Sequence, residues 1–154
     1  MNVPHMPASQ RGRQPLFGDP MIGHLDRAYR ELERCLAHME QETSAMEPDM
    51  VALASARYRL SRASHARRRL VQQACDHLLA VAPGAAPQVI ALQRRTIAYV
   101  RSSNEHIRAW PPLAIERDWA GYRTASLAIR ARMRDNMRSE HRLVLALLGG
   151  ASEP

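Results

Sequence analysis

Four polar residues stand three or four positions from apolar neighbours, where a helix would turn them inward: Arg67, His106, Asn136 and Glu140. A guanidinium and a carboxylate removed from water need each other, and a two-point hydrogen-bonded fork compensates both. The expectation is a buried pair of Arg67 with Glu140, inside a network that Asn136 and His106 complete. The alternative for Arg67 is a stem packed inside with its head reaching water between helices. His106 and Glu140 are also metal-ligand types, set against the plainer reading of hydrogen-bonded core groups. His65 falls opposite the apolar rhythm of its segment, and Arg67, Arg68 and Arg69 follow it. An exposed imidazole beside positive charge could accept a phosphoryl group. Cys35 and Cys75 lack metal-type spacing and read as small core residues. No Ser, His and Asp set has a defensible spacing, and paired carboxylates on one helical face are lacking, so the chain is not expected to be an enzyme.

These residues need long helices to position them. Asp19-Pro20 supplies a cap and a first-turn proline, and Ile22, Leu25, Tyr29, Leu32, Leu36 and Met39 then follow in steps of three and four over about 20–44. Pro48-Asp49 opens a second segment whose stripe is Leu53, Ala56, Leu60, Ala63, Arg67, Leu70, Ala74, Leu78 and Val81, ending at Pro83-Gly84. A third starts near Pro87, carries Val89 or Ile90, then Tyr99, Val100, His106, Ile107 and Trp110, and stops at Pro111-Pro112. Asp118 caps a fourth with Trp119, Tyr122, Ser126, Ile129, Met133, Asn136, Glu140, Leu143 and Leu147 inward, and Gly149-Gly150 is its expected end. Four such helices with short links predict an all-α, antiparallel, up-down-up-down four-helix bundle over 19–148. Residues 1–18, with three prolines and no periodicity, and 149–154 are expected to be disordered.

In the last third, His106, Trp110, Asp118-Trp119, Tyr122-Arg123 and Glu140-His141-Arg142 stand before a Leu-rich end that has Ala146. This segment resembles the hemerythrin-like (His-His-Glu) cation-binding bundles, whose members hold two irons among four helices and usually have a Pro where Ala146 stands. The resemblance covers about Pro20 to Leu148. It implies metal ligands at His24, His106 and Glu140. It also implies a gap, because the second helix lacks a His and Glu four apart and Asn136 stands where a His is usual. Iron is therefore expected only if the site is intact, and otherwise no cofactor; a salt bridge from Arg67 is expected to have replaced the metal.

All 22 basic residues are Arg, and the net charge is +7, which favours association with acidic partners without specifying one. Arg57, Arg59, Arg62, Arg68 and Arg69 form a basic surface on the second helix, with no acidic residue between Met50 and Cys75. It suits a solvated face or a docking surface for acidic protein segments, and less well a nucleic acid, because the arginines circle the helix. The longest apolar run, Leu143 to Leu148, is far short of the roughly 20 residues of a membrane span. No secretory segment is evident, so a cytoplasmic location is expected. The leading functional reading is a hemerythrin-like regulatory or protein-interaction module with a degenerate metal site. The alternatives are an iron- or oxygen-sensing or storage protein, and a basic bundle that binds nucleic acid or transfers phosphate through His65, as histidine phosphotransfer domains do.

Overall fold

Capping chemistry sets the element boundaries. In the computed structural model, which describes residues 18–151, the side chain of Asp49 accepts from the Ala52 amide at 3.0 Å and opens α2 (Met50–Val81). Asp118 does the same for α5 (Trp119–Ala151), accepting from the Gly121 amide at 2.8 Å. Both satisfy an amide that a helix start leaves without a partner. The other helices are α1 (Gly18–Thr43), α3 (Ala86–Ala109) and the short α4 (Pro112–Arg117), with a 3-10 turn at Pro83–Ala85. Among the described residues the regular structure is entirely helical, and no helix is long and apolar enough to cross a membrane.

Several boundaries differ from the sequence expectation. α1 already begins at Gly18, so Asp19 lies within its first turn; the rest of the tail expected over 1–18 lies outside the described residues. The link after Pro111 coils into α4 and buries Ile115 completely. α5 runs through Gly149-Gly150 to Ala151, where disorder was expected from 149; residues 152–154 lie outside the described set. A helical glycine costs about 1 kcal/mol, and neither glycine takes the left-handed conformation that stops a helix, while Val144 and Leu148 hold the preceding turns in the core.

The buried stripes are also rotated in places. α5 turns Tyr122, Ser126, Arg130, Met133, Met137, Glu140, Val144 and Leu148 inward, leaving Ile129, Asn136, Leu143 and Leu147 half-buried on its flank. Two neighbouring stripes satisfy the same helical period, and only the partners choose between them. On α2 Val71 is buried where Leu70 was expected, and Val81 is exposed; on α3 the buried residues are Val89, Leu92 and Tyr99, with Ile90 and Ile107 exposed.

The core has two parts. The larger joins α1, α2, α3 and α5 through residues such as Leu25, Leu32, Leu36, Leu78 and Val144; the smaller gathers Met39, Leu53, Ala56 and Ile115 around Tyr122. Leu60 packs against both. Contacts from α1 to α5 run Asp26 to His141, Tyr29 to Glu140, Glu33 to Arg134 and Thr43 to Arg130, so the two helices point in opposite directions. α1 has no basic residue in its last turn; α5 supplies the cation, with Arg123 donating to the Thr43 carbonyl at 2.8 Å. Asp118→Ala should therefore lower stability by about 1 kcal/mol in chemical denaturation, through loss of the α5 cap.

Candidate functional site

Arg67, near the middle of α2, and Glu140, in the second half of α5, are each 1% exposed, and Arg67 Nη1 donates to Glu140 Oε1 at 2.6 Å. The Tyr29 hydroxyl of α1 donates to the same oxygen at 2.7 Å, so one carboxylate oxygen ties three helices together. The pair is single-pronged, not the expected fork: Arg67 Nε and Nη2 and Glu140 Oε2 have no hydrogen-bond partner among the described residues. Each such atom forfeits part of its solvation, which reduces the net worth of the pair.

Burial, then the charge and hydrogen bond of Glu140, push the Tyr29 phenol far above its usual range, so it stays a neutral donor. Burial also raises the Cys75 thiol to about 11, with Glu140 and Asp76 adding to the shift. Cys35 is raised by burial and by Glu31. Both cysteines stay protonated, which suits core packing and not nucleophilic work.

The other expected members lie elsewhere. Asn136 is half-buried on the α5 flank, outside the Arg67 network. His106 sits in the smaller cluster, 6.1 Å between ring centroids from Tyr122. His24 is exposed, its Nδ1 2.8 Å from Arg27 Nη2. Among the described residues no three His, Cys, Asp or Glu side chains come together, so His24, His106 and Glu140 do not share a site. The two irons that the resemblance implies do not fit this donor set, because the one buried carboxylate among the described residues, Glu140, already carries a guanidinium. Tyr29 was missed as a network member, although a tyrosine on an apolar stripe signals a hydroxyl in need of an acceptor.

A second feature was not foreseen. A cavity of about 310 Å³ opens between α2, α3 and α5 where the two core parts meet. Small side chains create it: Ser61 and Ser64 on α2, Ser103 on α3 and Ser126 on α5. Met39, Leu60, Ile129 and Met133 supply apolar wall, and Tyr58, Tyr99, Tyr122 and His106 supply rings. Among the described residues three arginines, Arg57, Arg68 and Arg130, also line it, and no Asp or Glu does. Arg130 is 5% exposed and donates to the hydroxyls of Thr43 and Ser126 at 3.0 and 2.6 Å. The inward stripe expected for this helix ran through Ile129 and did not include Arg130.

The basic surface expected on α2 divides accordingly. Arg59, Arg62 and Arg69 are exposed. Arg57 and Arg68 are half-buried and turn to the cavity; Arg57 donates to the Trp110 carbonyl at 3.0 Å and lies over the Tyr122 ring. The helix circumference decides this, since Arg57 and Arg68 stand about three turns apart on the side of α2 that borders the cavity, while the other three point elsewhere. His65 is exposed, 3.4 Å from Arg68 Nη2.

No family model, curated protein or solved structure matches this chain. The site is therefore read from its own geometry.

Two outcomes follow. Arg67→Met should cost about 3–5 kcal/mol, because it leaves the Glu140 charge buried without its cation, whereas the triple variant Arg67→Met, Glu140→Leu, Tyr29→Phe should recover most of that loss in urea denaturation. His106 is held below its ordinary value of 6.5 by burial, then by Arg57 and Arg130. The unfolded chain then takes up a proton that the folded chain refuses, so this contribution is full above pH 6.5 and lost as pH falls below it. His106→Gln should flatten the fall in stability from pH 6.5 downward, measured by denaturation at a series of pH values.

Proposed function

We propose that this chain is a divergent hemerythrin-like, antiparallel, up-down-up-down four-helix bundle that carries an arginine and a glutamate in the interior position its relatives give to iron. In this reading it is a regulatory or protein-interaction module and not an enzyme. The observation that carries the proposal is the Arg67 to Glu140 contact of 2.6 Å with both side chains 1% exposed. A cation from the protein balances the carboxylate that a metal would otherwise balance, so this position can be neutral without a cofactor.

The surface supports a partner-binding role. α3 exposes Ile90, Ile97 and Ile107, and Arg94, Arg95, Arg101 and Arg108 of the same helix are exposed too. Apolar contacts set among cations suit an acidic amphipathic segment. The nucleic-acid reading is weaker, because Arg57 and Arg68 face the cavity and leave three arginines of the expected five for a backbone.

Elemental analysis of untagged protein tests the central claim. Iron and other transition metals should fall well below one atom per chain, and two tightly held irons per chain would overturn it.

A further inference from the structure

We propose that the cavity between α2, α3 and α5 binds a small organic anion, with the charged group of the ligand drawn to Arg130 and its apolar body against Tyr122 and Met133. This goes beyond the iron question and stands whether or not that reading holds.

The charge balance points to an anion. Arg130 is a buried cation, yet it makes no ion pair among the described residues; its hydrogen bonds go to two neutral hydroxyls, and its Nε has no partner. The acid whose field reaches it, Glu40, is held by Arg134 at 3.1 Å. The carbonyl end of α1, beside Thr43, offers only about half a negative charge. Arg57 and Arg68 add two more guanidiniums to the same cavity, where the described residues supply no carboxylate, and Arg68 Nε is buried and has no partner among them as well. A buried cation without a counter-ion is unfavourable, and an anion entering the cavity removes that cost.

The walls point to an organic one. Inorganic phosphate would leave Leu60, Ile129 and Met133 facing empty space, whereas a short aliphatic or aromatic body fills it. At about 30 Å³ per water-sized group, the cavity of about 310 Å³ takes on the order of ten heavy atoms. Exposed Tyr58, Ser61, Asn104 and Ile107 mark its mouth between α2 and α3, while Tyr122 and Arg130 lie buried at its floor. The ligand enters head first, since the buried charge is at the inner end.

Isothermal titration calorimetry on the full chain tests this with octanoate, 1-octanol and inorganic phosphate as probes. Octanoate should bind once per chain, with 1-octanol and phosphate each at least tenfold weaker. Arg130→Met should weaken octanoate at least tenfold. Should that variant fail to fold by circular dichroism, Arg57→Gln should weaken octanoate and Ser103→Phe should abolish its binding by filling the wall. Octanol binding as tightly as octanoate, phosphate binding more tightly, undiminished octanoate binding to Ser103→Phe, or no octanoate heat up to millimolar concentration would each overturn the proposal. Iron content does not enter any of these readouts, so the two proposals fail separately.

Discussion

Charge inside a low-dielectric core has to be answered nearby, and the rest of this fold is arranged around that constraint. Arg67 and Glu140 answer each other, and Tyr29 adds a neutral donor, so α1, α2 and α5 meet at one carboxylate oxygen. The apolar stripes of these helices are rich in Ala, Leu and Met, which make non-directional contacts and specify register less sharply than a charged pair does. A slip would strand a charge, which costs several kcal/mol. The polar contact thereby sets the register, while the leucines supply most of the driving force at about 1.5–3 kcal/mol for each fully buried side chain.

The second buried arginine is answered only in part. Arg130 meets hydroxyls and a helix end instead of a carboxylate, and its neighbourhood is open instead of filled. The two facts share a cause. Serines at four facing positions are too small to close the space between the larger core and the cluster around Tyr122. The aromatic cluster braces that end, with Trp110 edge-on and Trp119 stacked against Tyr122, so the walls are held by rigid rings even though the interior is not packed. An open, cationic, ring-lined space in an otherwise close-packed helical structure is where the fold departs most from what stability alone would favour.

The four long helices were legible in the sequence because period and punctuation agree: steps of three and four between Pro, Gly and Asp signals. Arg67 and Glu140 were legible as inward residues because each interrupts an apolar stripe, and a guanidinium and a carboxylate are natural partners. The fork between them was not, since its geometry depends on the tilt of two helices distant in sequence. Gly149-Gly150 misled, because a glycine permits a stop without imposing one when the preceding turn is anchored.

What the residues determined by themselves was therefore local: where helices start, which faces are apolar, and which polar groups conflict with those faces. Tertiary packing decided whether Ile129 or Arg130 turns inward, whether Arg57 and Arg68 meet solvent or a cavity, and that His24, His106 and Glu140 stand apart. The reason is that a helical stripe is wide enough to be rotated by one residue at little local cost. Only the shape and charge of the facing helices make one rotation better than the other.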